Sequence, residues 1–450
     1  MDRRDFLKTA GLGAAAIGVA ACSSGISETG TAQRQTGIPD GEMARNYPGI
    51  GLLGYGCMRW PMTEGSDGRK VIDQEEVNRL VDVAMAHGVN YYDTSPNYLG
   101  GESERATAEA LNRHPRDKWL LATKLSNFSD WSYDNSVMMY RNSLDIFRTD
   151  HIDYYLLHSI GGMDAFNTRF GSTGIMDFLL KERELGHIRN LGFSFHGNRQ
   201  GFDELMSLHS KFHWDFVQIQ MNYVDWRHAG RNNTDAEYLY GVLDSMGIPV
   251  VIMEPLRGGR LADMPVTLAD MLQAKDPSGS LASWAFRFAG SFPRVLTVLS
   301  GMTYMDHLED NLRTFLDFKP LNEEEMELLQ EVATRMETWP LVRCTGCNYC
   351  MPCPYGIDIP GIFKFYNDSL NAGTYVKDSE QEGYAKARRR YLLAYDKAIP
   401  TVRQADHCIQ CGKCDKACPQ HLSVHSELRK IDEYIESLKR ETHFRSAPEA

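Results

Sequence analysis

The chain is short of positive charge. Its 48 Lys and Arg stand against 60 Asp and Glu, leaving a formal net charge of −12. Without a basic footprint, nucleic acid is excluded as a partner. A long apolar run is also missing. The stretch from Ala10 to Ala21 is mildly hydrophobic but short and rich in glycine, well under the ~20 residues that a spanning helix needs. No Gly-x-Gly-x-x-Gly turn follows an early strand-like run, which argues against an open, doubly wound nucleotide-binding sheet. Cysteine is scarce outside two short stretches: of ten, only Cys22 and Cys57 lie elsewhere. Cys57 falls on a strand-like run and reads as a small core residue.

What is present is concentrated near the C-terminal end. One run is Cys344-x2-Cys347-x2-Cys350-x2-Cys353-Pro354, and the other is Cys408-x2-Cys411-x2-Cys414-x3-Cys418-Pro419. Three thiolates spaced by two residues can wrap one cubane, and a fourth, followed by proline, is donated from elsewhere. Two-cluster ferredoxins cross over in this way, the fourth cysteine of each run ligating the other cluster. The expectation is two 4Fe-4S clusters held by these eight cysteines. Structural zinc prefers separated pairs around one tetrahedral ion. Disulfides need a narrow Cα–Cα window and a defined torsion, and nothing in the spacing favours pairing. Cys353 departs from the usual pattern, because its spacing is x2 where bacterial ferredoxins have x3.

The N-terminus carries Arg3-Arg4 ahead of the mildly apolar stretch, and that stretch ends Val19-Ala20-Ala21-Cys22-Ser23. Twin arginines in this position resemble a Tat export signal, and the end resembles a lipobox that would make Cys22 a lipidated first residue of a periplasmic protein. Simple cleavage at the small residues would instead leave the protein without a lipid anchor. Export in the folded state suits clusters that are inserted in the cytoplasm. Residues 23–48 are polar and poor in large apolar side chains, and read as a tether.

From 49 to 335, short apolar runs alternate with helical patterns. The runs are Gly51–Met58, Val89–Asp93, Trp119–Lys124, Ile152–His158, Asn190–Phe195, Phe216–Asn222, Pro249–Pro255 and Val295–Gly301. Runs apolar throughout, rather than alternating, mark strands buried on both faces. Eight of them, each followed by a helix, predict an α/β fold, a (β/α)8 TIM barrel. A small helical ferredoxin-like iron-sulfur domain would follow over 336–440, with helices between the two cysteine runs. In such a barrel, chemistry sits at the C-terminal ends of the strands. Asp93, Lys124 and His158 end runs, Tyr98 follows Asp93 in its loop, Ser194 and His196 end the fifth run, and Gln218 lies in the sixth. Singly, each has a plainer reading: a turn cap, a solvent-facing strand end, a core histidine.

The segments Asp93-Thr94-Ser95-Pro96-Asn97-Tyr98, Ala122-Thr123-Lys124, Asp153 to His158, Gly192-Phe193-Ser194, Gln218, Glu254 to Gly259 and Glu309-Asp310-Asn311 together resemble the signature segments of aldo-keto reductases. The cysteine-bearing tail is similar to the cluster-binding extension of one branch of that family. The resemblance implies a catalytic tetrad of Asp93, Tyr98, Lys124 and His158. It further implies nicotinamide contacts at Ser194 and Gln218, a pyrophosphate loop around Leu256 and Gly259, and Asn311 at the adenine edge. On that mapping Tyr98 is the proton donor, with a pKa lowered by the Lys124 ammonium. Asp93 places Lys124, and His158 orients the substrate oxygen. The cofactor would be NAD or NADP. The Lys and Arg that grip a 2′-phosphate are missing near Met302–His307, with His307 at the arginine's place, which tilts the expectation to NAD. The implied reaction interconverts a carbonyl and an alcohol, plausibly in a sugar or another small aldehyde or ketone. The alternative is a redox-sensing or electron-transfer adaptor with a vestigial pocket, in which the clusters serve an electron-transfer partner. Arg388-Arg389-Arg390 reads as a solvated helix face or a dock for such a partner. Substrate choice would reside in loops such as Gly161–Thr173 and Val224–Ala236.

Overall fold

The computed structural model describes residues 38–443, except 67, 231–232, 339–340 and 377–382. Arg3, Arg4, Cys22 and the first part of the expected tether lie outside the described residues.

Ten strands are present among the described residues. They are β1 (Leu53–Gly56), β2 (Met62–Glu64), β3 (Lys70–Ile72), β4 (Tyr91–Asp93), β5 (Leu120–Leu125), β6 (Ile152–Ile160), β7 (Ile188–Phe195), β8 (Phe216–Gln220), β9 (Val250–Met253) and β10 (Val295–Ser300). Eight of them close a parallel barrel in the order β1-β10-β9-β8-β7-β6-β5-β4, and β2 and β3 form an antiparallel hairpin in the first βα connection. All eight expected runs are barrel strands. Several are shorter than their apolar runs, because the chain turns where polar chemistry begins. Cys57–Arg59 forms a 3-10 turn beyond β1, and Glu254 has a positive φ of 55° beyond β9. The hairpin was not expected; its strand residues other than Ile72 are exposed, and three-residue strands carry no apolar run.

The period of two along each strand sorts the side chains. Tyr92, Leu121, Tyr155, Phe193, Val217 and Ile252 face outward into the core shared with the helices. Tyr91, Ala122, Tyr154, Leu156, Phe216 and Val251 form a separate core inside the barrel, closed below by Ile50. Two residues further along the inward rows come Asp93, Lys124, His158 and Gln218. Strand alternation thus carries these polar groups to the mouth above an apolar plug. Gly192 on β7 is required by that plug: a Cβ there would stand 2.3 Å from the Phe216 carbonyl oxygen.

The expected tether shortens at its C-terminal end. Met43 is buried, Ala44 donates its N–H to Phe315 O at 3.1 Å, and Leu52 donates to Ala44 O at 2.7 Å. Beyond the barrel, helices Ile359–Asn371, Tyr384–Ala398, Lys413–Ala417 and Val424–His443 gather around a second core. Val424, Leu428, Ile431, Ile435 and Leu438 supply one stripe of it, at the helical spacing expected of a buried face.

Candidate active site at the barrel mouth

The four tetrad residues, far apart in the chain, meet at the mouth. Lys124 Nζ lies 2.5 Å from Asp93 Oδ1 and donates to Thr94 O at 2.8 Å. Gln218 Nε2 donates to the other Asp93 oxygen at 3.3 Å. The Lys124 ammonium also stands 4.9 Å from the centroid of the Tyr98 ring, a cation–π distance. The Tyr98 and His158 rings meet edge to face with centroids 5.8 Å apart. Ser126 Oγ is 2.6 Å from His158 Nδ1, and Ser95 Oγ is 3.3 Å from the same nitrogen. On the other side of the ring, Tyr349 Oη lies 3.2 Å from His158 Nε2.

Burial governs the proton affinities. It pushes the Asp93 carboxyl up, against the downward pull of Lys124 and Gln218. The His158 imidazole is held well below its ordinary value by burial, then by Lys124 and Arg169, so it is neutral at physiological pH. The expected lowering of Tyr98 is not found. Burial, then the Tyr349 phenol and Asp93, hold it well above the usual tyrosine range. Tyr98 is therefore a protonated phenol, the form that can give a proton.

One cavity of about 820 Å³ is lined by Asp93, Tyr98, Lys124, His158, Ser194, Gln218, Leu256, Gly259 and Asn311, all nine expected barrel site residues. It is in the size range of small-molecule and cofactor sites. A nicotinamide carboxamide fits what is there. Gln218 Oε1 is buried without a hydrogen-bond partner, and such an orphaned acceptor suits an amide N–H. Ser194 Oγ accepts from Ser159 N at 2.7 Å, which leaves its own O–H to donate. Asn311 is buried and donates to Ser300 Oγ at 2.9 Å. The Gly259 N–H is engaged within its own turn, on Leu256 O at 3.0 Å. The neighbouring Gly258 answers a different demand: its φ is 71°, and a Cβ there would meet Thr345 O at 2.4 Å. Asp306, His307 and Asp310 also line the cavity.

The wall facing the barrel comes from the C-terminal region. Cys347, Tyr349, Lys364, Pro419 and Gln420 line the same cavity. Sequence reasoning missed Tyr349, whose contact with His158 spans 191 residues. Ser95 and Ser126 were also missed, although Ser95 lies inside a signature segment.

The cysteines frame two hollows. Cys344, Cys347, Cys350 and Cys418 line one of about 20 Å³. Cys353, Cys408, Cys411 and Cys414 line the other, of about 180 Å³, which Cys350 also touches. The fourth thiol of each run thus stands with the other run's triple, and Cys353 takes that place despite its x2 spacing. The Cys350 thiol is pushed up to about 12 by burial and by Cys344, Cys347 and Cys418, which groups those four electrostatically. Among the described residues, no three His, Cys, Asp or Glu side chains converge as a single ion would require. The donor set is that of an iron-sulfur cluster, all thiols around a hollow. The narrower hollow admits a cubane only if its side chains spread.

Residues 52–334 match the model of the aldo/keto reductase family. The chain belongs to the aldo/keto reductase family. Residues 343–423 match a 4Fe-4S dicluster domain, so this aldo/keto reductase carries an iron-sulfur domain behind its barrel. L-galactose dehydrogenase of Arabidopsis thaliana is 23% identical over 295 residues, covering 60% of this chain and 88% of that protein. An aldo/keto reductase of Klebsiella pneumoniae, solved with NADP and acetate, shares the fold with a TM-score of 0.51 at 22% identity, covering 63% of this chain and 92% of that one. A holo-form aldo-keto reductase of Bacillus halodurans gives 0.50 at 22% identity over the same shares. These relatives align with about the barrel's share of the chain, and the reductase's cluster domain is an addition to it.

Proposed function

We propose that the protein interconverts a carbonyl and an alcohol, with a small sugar-like compound as substrate and NAD as the preferred nicotinamide. The observation that carries this is the convergence of Asp93, Tyr98, Lys124 and His158 on one cavity, with the unpaired Gln218 Oε1 beside Asp93. A bound nicotinamide would supply or accept the hydride. Tyr98, kept protonated by burial, gives its proton to the alkoxide oxygen as charge develops there. Lys124 stabilises that charge from the face of the ring, and Asp93 holds Lys124 in place. Neutral His158 donates from Nε2 to the same oxygen, with Nδ1 accepting from Ser126.

Several observations support the finer points. Asp306 and Asp310 line the cavity near Asn311, where a carboxylate suits a ribose 2′-hydroxyl and repels a 2′-phosphate. L-galactose dehydrogenase among the relatives supports a sugar-like substrate. The two hollows support two 4Fe-4S clusters, one on Cys344, Cys347, Cys350 and Cys418, the other on Cys353, Cys408, Cys411 and Cys414. Cys411 is exposed and Ile409 is 59% exposed at the second hollow, and Arg389 and Arg390 lie in solvent. This suits one-electron exchange with an acidic partner. Twin arginines and Cys22 support Tat export and lipid anchoring in the periplasm.

The deciding experiment is anaerobic purification with iron, sulfide and nucleotide analysis, followed by turnover of an aldehyde panel with NADH and NADPH. Tyr98→Phe should lower kcat by about 100-fold or more, the usual value of a positioned acid. Absence of nicotinamide binding together with redox-active clusters would replace the enzyme with an electron-transfer adaptor.

A further inference from the structure

The chemistry above leaves one hydroxyl unused. Tyr349 lies between Cys347 and Cys350 in the chain, and its Oη lies 3.2 Å from His158 Nε2. A phenol hydroxyl at that place can both donate and accept a hydrogen bond. Gln420, two residues past Cys418, shares this wall and is held on the barrel by paired amide bonds with Gln220, at 2.8 and 3.3 Å. The wall facing the tetrad is thus built from the two segments that hold one set of four thiols.

His158 has one ring nitrogen open to the cavity. Nδ1 is taken by Ser126 Oγ at 2.6 Å, and Nε2 has Tyr349. In a neutral imidazole each nitrogen serves as one donor or one acceptor. A reacting oxygen can take Nε2 only if the Tyr349 hydroxyl turns away from it. The Tyr349 segment is held on one side by Arg59 donating to Thr345 O at 2.7 Å and on the other by Met351 N–H donating to Asn348 O at 2.9 Å. The hydroxyl therefore stays within hydrogen-bond reach of whatever occupies the site, and left buried without a partner it opposes binding.

We propose that Tyr349 is a specificity-determining residue that binds a hydroxyl on the carbon next to the reacting carbonyl. The substrate class is then α-hydroxy carbonyl compounds and the vicinal diols they form on reduction. The inference rests on the carbonyl–alcohol reading of the site. A carbonyl compound with a bare alkyl carbon at that place leaves Tyr349 unpaired, and sites built to bond a substrate hydroxyl reject analogues lacking it more strongly than apolar pockets reject a methylene.

The test uses the iron-loaded full chain, with its clusters' visible absorbance checked, on a matched pair: glyceraldehyde and propanal. The wild type should favour glyceraldehyde, and Tyr349→Phe should lose about tenfold in kcat/KM on it, chiefly through KM, while gaining on propanal, which then leaves no hydroxyl unpaired. Equal losses on both compounds would make Tyr349 structural and overturn the inference, as would no loss on either. Should the wild type turn over neither compound, the reductase reading itself fails. Equilibrium dialysis of radiolabelled glycerol against wild type and Tyr349→Phe then decides Tyr349 separately: weaker binding by the variant supports the assignment, and equal binding overturns it.

Discussion

Arg59, in the turn after β1, donates from Nη2 to the backbone carbonyl of Thr345 at 2.7 Å. Thr345 lies between the thiols of Cys344 and Cys347, and the same carbonyl is the atom a Gly258 side chain would strike. Two βα loops of the barrel therefore grip the cysteine segment directly.

The first consequence concerns iron. Cys347 and Tyr349 wall the cavity, so a cluster-free chain should bind nicotinamide about tenfold more weakly or worse, since an ordered wall is lost. Titrating Cys347→Ser and wild type with NADH by fluorescence checks this. Matching affinities would mean that the wall holds its shape without iron.

Gly258→Ala should loosen the same junction. The new methyl group would stand 2.4 Å from Thr345 O, at a φ of 71°, and backbone cannot yield as a flexible side chain can. The expected result is faster loss of iron to a chelator with the barrel's thermal transition little changed. Gly259→Ala is the control: its Cβ would have nothing within 4 Å, although its φ of 94° brings comparable backbone strain.

Breaking the buried ion pair should cost both stability and rate. Lys124 is 1% and Asp93 4% exposed in their side chains. Lys124→Met leaves an uncompensated carboxyl and should destabilise the protein by about 3 kcal/mol, with kcat falling as well. Denaturant melts of the single variants and of Asp93→Asn/Lys124→Met would show the double variant recovering part of the loss.

Stability should fall on the acid side of neutrality. His196 is pulled down to about 4 by burial and by His421. A histidine depressed in the folded state binds fewer protons there than in the unfolded chain. Its contribution is therefore complete above the unfolded value and is lost as pH drops from about 6.5 towards about 4. His196→Asn should flatten the slope of stability against pH in this window, by up to about 1 kcal/mol per pH unit. An unchanged slope would show that His196 charges freely in the fold.

Coenzyme choice is the last prediction. His307 lines the cavity beside Asp306 and Asp310. His307→Arg should raise affinity for NADPH about tenfold by giving a 2′-phosphate one charge-assisted partner, with NADH affinity nearly unchanged. Equal gains for both coenzymes would place the ribose elsewhere.

Much of this was legible in the chain because it is local. Strands buried on both faces show as apolar runs, and the inward row of a strand follows from a period of two. Asp93, Lys124 and His158 could therefore be placed at the mouth from their positions at run ends. Thiols two residues apart announce a cluster without reference to anything distant. The hairpin strands Met62–Glu64 and Lys70–Ile72 could not be read, because three residues are too few to show a period. Nor could the Tyr98 pKa, since burial in the folded mouth raises it and the Tyr349 phenol, from a distant part of the chain, raises it further.

By itself, then, the sequence determined the barrel, its ring of polar strand ends and the thiol content of the tail, all products of short-range periodicity and spacing. Only the tertiary structure decided that Cys353 joins Cys408, Cys411 and Cys414, that Thr345 rests on Gly258, and that Tyr349 reaches His158. Those contacts depend on how one domain's loops meet another's, and side-chain shape across a chain separation of 191 residues leaves no periodic trace in either segment.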